Sequence, residues 1–206
     1  MLFYEDKRRA YLRCGQCALV YVPDIFYLSA DAEKAEYDLH DNQVNDAGYR
    51  GFLQRAWQPL QTLLARGSRV LDFGCGPGPA LAAMMSEAGM QVSLYDHFYY
   101  PDPSVLTPHT YDAITATEVI EHLHTPAQVF TRWLALLKAD GYLVVMTKQV
   151  QDANAFAGWH YKNDLTHVCF FSAQTFAWLA QQHGLVMTQC AADVVMFRKL
   201  ENSASA

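Results

Sequence analysis

Asp72 and Asp96 are the acids whose setting points most directly to chemistry. Each closes a short apolar run, Val70-Leu71-Asp72 and Gln91-Val92-Ser93-Leu94-Tyr95-Asp96, and the first run leads into Phe73-Gly74-Cys75-Gly76-Pro77-Gly78-Pro79. A strand that ends in a glycine-rich turn lets the backbone approach a ligand, because glycine has no Cβ in the way. The helix that follows adds unpaired N–H groups at its start. An acid about twenty residues farther on, at the end of the next strand, is placed to hold ribose hydroxyls. Asp96 is therefore expected to be a ribose ligand. Spacing discriminates between nucleotide classes: the dinucleotide fingerprint G-x-G-x-x-G needs its third glycine at position 79, which is Pro79, whereas glycine falls at 74, 76 and 78. A nucleotide oxidoreductase is disfavoured on that ground.

A second set of proton-moving residue types lies in Trp159-His160-Tyr161-Lys162-Asn163-Asp164-Leu165-Thr166-His167. Imidazoles titrate near neutral pH and suit the removal of a proton from a hydroxyl nucleophile. His160 and His167 are the candidate catalytic bases, with local anchoring of the loop as the other reading of His167. The aromatic and polar run Tyr37-Asp38-Leu39-His40-Asp41-Asn42 is the second candidate wall. Tyr37, His40, Asn42, Trp159 and Tyr161 are expected to meet an acceptor. His122-Leu123-His124 and the later histidines have no spacing of a known zinc constellation, so no catalytic metal is expected.

Cys14 and Cys17 lie in Tyr11-Leu12-Arg13-Cys14-Gly15-Gln16-Cys17-Ala18-Leu19-Val20-Tyr21-Val22, which looks like one knuckle of a zinc ribbon. Two thiolates supply half of a tetrahedral site, and no cysteine or histidine precedes Cys14 in this chain. No stoichiometric zinc is expected here. Cys75, Cys169 and Cys190 read as small apolar side chains.

These residues need elements to position them. Pro79 to Gly89 reads as a helix with proline in its first turn and a terminal glycine, which completes a β-turn-α-β unit. Polar, helix-prone residues run from Ser29 to Leu39, and Gly51 to Ala65 repeats apolar residues near helical spacing. Tyr111 to Thr117 reads as a strand, Ala127 to Lys138 as its crossover helix, and Gly141 to Thr147 as the next strand. Ser172 to His183 forms another helix before two final strands, Leu185 to Gln189 and Asp193 to Leu200. The alternation places the chain in the α/β class. The expected division is a hairpin over 1–28, a helical cap over 29–66, a core over 67–200 and a disordered tail over 201–206.

With 206 residues, about half of them apolar, the chain can bury a full core, and its formal charge of −6 argues against a polyanionic partner such as nucleic acid. Lys7-Arg8-Arg9 is the one dense basic run and is expected to be a solvated charged face. No run suits a membrane span or a signal peptide, which leads to the expectation of a cytoplasmic protein, monomer or homodimer, with a small-molecule substrate.

Taken together, these motifs resemble the class I S-adenosylmethionine (SAM)-dependent methyltransferases, in the branch of ubiquinone-biosynthesis-like enzymes. Val70 to Pro79 looks like motif I, Asp96 like the acidic motif II, and Tyr111 to Leu123 like the family's FDxIxxxEVxEH segment. The Cys14 to Cys17 knuckle and the Trp159 to His167 loop resemble a bacterial subgroup that carries a zinc ribbon, here degenerate. The resemblance implies a Rossmann-like three-layer α/β sandwich whose mostly parallel seven-stranded sheet has an antiparallel last strand. It implies SAM as cofactor, with Asp72, Gly74, Cys75, Gly76 and Gly78 around the methionyl end, Asp96 on the ribose and His97 beside the adenine. Thr117 and Glu118 would meet the amino-acid end, with helix capping as their other role. Glu121 would be a packing carboxylate. The implied activity is methyl transfer to a small molecule through oxygen, nitrogen or carbon; a SAM-binding sensor or scaffold without turnover is the alternative.

Overall fold

A computed structural model of the chain describes residues 1–39 and 43–201. The N-terminal strands β1 (Leu2–Glu5), β2 (Ala10–Arg13) and β3 (Val20–Tyr21) form an antiparallel meander with Cys14 and Cys17 in the β2–β3 turn. Helix α1 (Ala30–Tyr37) starts where the Ser29 side chain accepts the Ala32 N–H, and α2 (Ala47–Gln61) where Asp46 accepts the Tyr49 N–H. The core follows as β4 (Arg69–Phe73), α3 (Ala80–Glu87), β5 (Gln91–Tyr95), β6 (Tyr111–Thr117), α4 (Pro126–Leu136) and β7 (Leu137–Met146). The short α5 (Ala153–Ala157) and β8 (Cys169–Phe170) precede α6 (Ala173–His183), β9 (Leu185–Ala191) and β10 (Val194–Lys199).

The main sheet has the order β5-β4-β6-β7-β10-β9. Strands β5, β4, β6 and β7 are parallel, and β10 runs antiparallel between β7 and β9, with Val194 opposite both Met146 and Ala191. The last strand thus lies where the resemblance implies. The described sheet has six strands rather than seven. The stretch after β5 contains Pro101, Pro103 and Pro108, which lack the N–H a further edge strand would need. Asp102 instead accepts the Ser104 N–H and starts a single 3₁₀ turn over Pro103–Val105.

Alternation along the buried strands sorts the core into two faces. Val70, Ala113, Val144 and Val194 pack against Leu53, Ala56, Trp57 and Leu60 of α2 and Leu81, Met84 and Met85 of α3. Leu71, Ile114, Val145 and Val195 face Phe130 and Trp133 of α4 and Phe176 and Leu179 of α6. The result is three layers, and α2 packs as part of one layer while its N-terminal end reaches the cleft. Among the described residues no helix is long and apolar enough to cross a membrane.

The meander joins the core through β8: Val20 pairs with Phe170 and Tyr21 with Cys169. Tyr11, fully buried, stacks edge-on against Phe156 with ring centroids 4.9 Å apart. The basic run departs from its expected solvated face. Arg9 is only 3% exposed, and its guanidinium donates to the carbonyls of Lys162 at 2.9 Å, Asp164 at 2.9 Å and Leu165 at 3.0 Å. Arg8 bonds Asn163 at both its backbone carbonyl and Oδ1. Backbone carbonyls of a turn that leaves regular structure need donors, and a planar guanidinium can satisfy several at once.

Candidate functional site

Strand β4 sends its chain to β5 on one side, while β6 returns on the other. A ligand crevice therefore opens at the carboxyl ends of these strands, where the sheet order switches direction. A cleft of about 850 Å³ lies there, within the range of small-molecule sites. Asp72, Gly74, Cys75, Gly76, Asp96, His97, Thr117 and Glu118 all line it, as the sequence leads one to expect. Gly78 lies outside the lining.

The turn after β4 needs its first two glycines for backbone reasons. Gly74 has φ +73° and Gly76 φ +62°, in the region L side chains rarely adopt. A Cβ on Gly74 would also sit 2.3 Å from Val119 Cγ2. A Cβ on Gly76 would meet open space, so that turn presents bare backbone to the cleft. Asp96 fixes the turn from across the mouth. Its Oδ2 accepts the Gly76 N–H at 3.0 Å and its Oδ1 accepts the Phe98 and Tyr99 N–H groups at 2.9 and 3.1 Å. These three bonds leave about one of the four acceptor sites of a carboxylate. Asp72 is buried beneath the turn, where Thr115 Oγ1 donates to it at 2.9 Å. Burial pushes its carboxyl up to about 7, against the effect of that hydrogen bond.

Glu118 follows the last residue of β6 and lies in the left-handed region, with φ +53°. A non-glycine residue there stores strain, which the Glu118 N–H bond to the Met146 carbonyl at 2.8 Å helps to offset. Its Oε2 lies 3.2 Å from the Tyr161 hydroxyl, and that same hydroxyl makes a shorter bond to Glu121. Glu121 is fully buried, in keeping with a packing carboxylate. Burial, with repulsion from Glu118, pushes Glu121 up to about 8, and burial pushes Glu118 up to about 7.

The expected acceptor wall separates into two parts. Tyr37 and His167 line the cleft, together with Asp164. His167 Nδ1 donates to the Tyr161 carbonyl at 2.7 Å, a bond that ties the ring to its own loop, and Nε2 lies 3.7 Å from Asp164 Oδ2. His160, Trp159 and Tyr161 are placed elsewhere. His160 is exposed, 3.0 Å from Lys148 Nζ and outside the lining. Tyr161 sits behind Glu118, and Trp159 packs on Tyr161 with centroids 5.0 Å apart. The reason is local: His160–Asn163 form a 3₁₀ turn in which Tyr161 and Lys162 turn inward and their neighbours outward. His40 and Asn42 lie outside the described residues.

Tyr49, Phe98, Tyr99, Val119 and His122 also line the cleft and were not singled out from the sequence as site residues. His122 carried a signal, its place after Glu121 in the segment following β6. Its Nδ1 lies 3.0 Å from Thr166 Oγ1, which donates to Asp164 at 2.6 Å. Ligand atoms of Glu121, His122 and His167 fall within 4.8 Å of one another. Glu121 is also bonded to Tyr161, and both Nδ1 atoms are bonded to the loop.

A family model described as a methyltransferase domain matches residues 43–190. The ubiquinone biosynthesis O-methyltransferase of Vibrio cholerae is 32% identical over 104 residues, 39% of this chain and 42% of that protein. The enzyme of the same name from Neisseria meningitidis is 27% identical over 106 residues, 40% of this chain and 44% of that protein. These matches span less than half the length of the relatives. Among solved structures, 1,6-didemethyltoxoflavin-N1-methyltransferase of Burkholderia thailandensis, crystallised with 1,6-didemethyltoxoflavin and S-adenosylhomocysteine, superimposes with a TM-score of 0.59 at 18% identity. It covers 97% of this chain and 99% of that one. A SAM-dependent methyltransferase from Archaeoglobus fulgidus gives 0.56 at 14% identity, over 73% of this chain and 94% of that one. With its glycine turn, its carboxyl-edge cleft and a family match over most of its length, the chain belongs to the methyltransferase-domain family and has the class I, Rossmann-like architecture.

Proposed function

We propose that this protein is a SAM-dependent methyltransferase acting on a small molecule. The observation that carries the reading is the Gly74-Cys75-Gly76 turn, held open by Asp96 over a cleft floored by Asp72 and edged by Glu118. The donor set fits SAM: bare backbone at Gly76, an acidic group within reach of ribose hydroxyls, and carboxylates for a cationic methionyl end. When bound, SAM supplies a methyl group already activated by its sulfonium. The protein then has to align the acceptor, exclude water and take a proton where the nucleophile carries one.

In this reading Asp72, Gly74, Cys75, Gly76, Asp96, His97, Thr117 and Glu118 hold the cofactor. Tyr37, Asp164 and His167 face the acceptor, with His167 Nε2 as the candidate base. The relatives' name points to a hydroxyl as one acceptor class, and the Burkholderia enzyme's to a ring nitrogen. The imidazole and phenol wall opposite the glycine turn favours turnover over a binding-only role. Calorimetry tests the proposal: SAM and S-adenosylhomocysteine bind and NAD does not. Asp96→Ala weakens SAM by roughly 1.5–3 kcal/mol through loss of a charge-assisted contact. Strong NAD binding with no SAM heat refutes the assignment.

A further inference from the structure

Tyr161 has one hydroxyl proton and three polar neighbours: Glu121 Oε1 in a short hydrogen bond, Glu118 Oε2 at 3.2 Å and Thr147 Oγ1 at 3.2 Å. A phenol donates once and accepts through its lone pairs. When its proton goes to one carboxylate, the other can bond to the phenol oxygen only by carrying a proton itself. Two ionised carboxylates would set a carboxylate lone pair against a phenol lone pair at a site where Glu121 is fully buried. The outer oxygens, Glu118 Oε1 and Glu121 Oε2, are buried and have no hydrogen-bond partner. Leaving two such oxygens fully charged and unpaired is costly, whereas one neutral acid removes half of the charge. The Thr147 hydroxyl and a backbone N–H ease the charge on Glu121, and a single proton shared by the pair removes the remaining conflict at the phenol oxygen.

Lys148 and Arg55 act on Glu118 and lower its carboxyl against burial, and neither bonds to a carboxylate of the pair. Lys148 lies over the Tyr161 ring, its Nζ 5.4 Å from the centroid, and is engaged with His160. Arg55 acts on Glu118 but is bound to Asp193 at 2.7 Å, and Asp193 opposes it. Tyr49 and Asp72 face Glu118 from α2 and β4 across the cleft. Glu121 meets Cys169 from β8, and the His122 and His167 rings from the cleft wall. Burial and repulsion between the two acids push Glu118 up to about 7 and Glu121 up to about 8, which agrees with one retained proton near neutral pH.

We propose that Glu118, Tyr161 and Glu121 form a one-proton carboxylate pair that reads the charge of the cofactor. A sulfonium cation on the Glu118 side of the cleft drives the shared proton out, and a neutral thioether lets it return. The proposal rests on the SAM reading above and adds to it a basis for distinguishing substrate from product. The balance is simple. In the transfer the S–CH₃ bond breaks with its electron pair left on sulfur, the acceptor's lone pair forms the new bond, and the acceptor's proton departs. The acceptor's proton leaves through His167, and the loss of the positive charge at sulfur lets the pair take up one proton from solvent. Ionised, the pair favours the cofactor; reprotonated, it no longer holds the product by charge.

Calorimetry on the full chain near pH 7, in phosphate and in Tris, measures protons released from the dependence of binding heat on buffer ionisation. SAM binding is expected to release roughly 0.5–1 proton and S-adenosylhomocysteine less than about 0.2. SAM affinity is expected to rise about tenfold relative to that of S-adenosylhomocysteine between pH 6 and 8. Glu121→Gln and Glu118→Gln each abolish the SAM-linked release, which separates the pair from the ligand's own amino group. Equal release by both ligands, SAM heat that is independent of buffer, or undiminished release in both variants overturns the proposal. If either variant fails to fold, the wild-type contrast between the two ligands still decides. Absence of binding by both ligands instead refutes the SAM reading itself.

Discussion

Arg9 Nη2 donates a 2.9 Å hydrogen bond to the backbone carbonyl of Asp164, a residue 155 positions away that lines the cleft. The same guanidinium serves Lys162 and Leu165 and takes a further partner in the Tyr11 hydroxyl, 3.1 Å from Nε. The N-terminal meander thus fixes the loop that carries Asp164 and His167.

Truncating that guanidinium leaves buried carbonyls without donors. Arg9→Ala is expected to destabilise the protein by roughly 2–4 kcal/mol, lowering the melting temperature by about 5–15 °C. Arg8→Ala, whose partner Asn163 is exposed, should cost less than about 1 kcal/mol. Thermal unfolding of the two variants makes the comparison. Equal small effects would show that the meander is dispensable to the loop.

Stability of the ligand-free protein should fall as pH rises from about 4.5 to 8. Asp72, Glu118 and Glu121 are raised in the folded state to about 7, about 7 and about 8, chiefly by burial. The folded chain therefore binds more protons than the unfolded chain across this window, and raising the pH favours unfolding. Asp6 and Asp112 work in the other sense. Burial alone would raise them, but the Arg8 and Arg9 amides and Lys138, respectively, hold them below the usual carboxylate range. Their stabilisation is lost only as pH falls below about 4. Melting temperatures measured between pH 5 and 8 that climb with pH would contradict the protonation of the buried acids.

Gly74 is constrained twice, by φ +73° and by Val119 at 2.3 Å from a Cβ. Gly74→Ala should lose SAM binding and destabilise the fold by roughly 2–4 kcal/mol, from left-handed backbone strain and overpacking together. Val119→Ala in the same chain removes the clash but not the strain, so it should restore part of the stability. Full restoration in the double variant would show that sterics alone make this position glycine.

The strand-turn-helix unit was legible because its signals are local: apolar alternation, glycine spacing and helix-end residues within a few positions; the antiparallel insertion of the last strand was implied by the family resemblance instead. Asp96 was located by the same logic, although its three backbone partners show that it braces the turn as well. Arg9 was not legible. Its partners lie more than 150 residues away, and a basic run carries no mark of the carbonyls it will meet. The loop from Trp159 to His167 was recognised as chemically equipped, but a 3₁₀ turn redistributes its side chains. His160 goes to solvent, Tyr161 goes behind Glu118, and His167, beyond the turn, reaches the cleft. The orientation of short turns depends on what packs beneath them, here the Tyr161 bonds to Glu118, Glu121 and Thr147.

That redistribution separates the two candidate histidines. The Tyr161 carbonyl can only accept, so His167 carries its proton on Nδ1 when neutral, which makes Nε2 the basic nitrogen. Asp164 Oδ2, 3.7 Å from Nε2, favours the imidazolium that forms on proton uptake. Thr166 donates to Asp164 Oδ1 through both its hydroxyl and its N–H, which fixes the carboxylate in that position. With labelled SAM and an acceptor bearing a hydroxyl or ring N–H, His167→Ala should lose roughly a hundredfold or more in turnover. Its SAM affinity should change less than about threefold, since its anchor is to the loop rather than to the glycine turn. His160→Ala should lose less than about tenfold, because its ring is exposed and outside the cleft lining. A pH–rate profile adds a second readout: if His167 is the base, the acid limb of kcat disappears in His167→Ala and persists in His160→Ala. If His160→Ala proves the more damaging change, the loop reorganises when the acceptor binds, and the base has to be sought on its outer face.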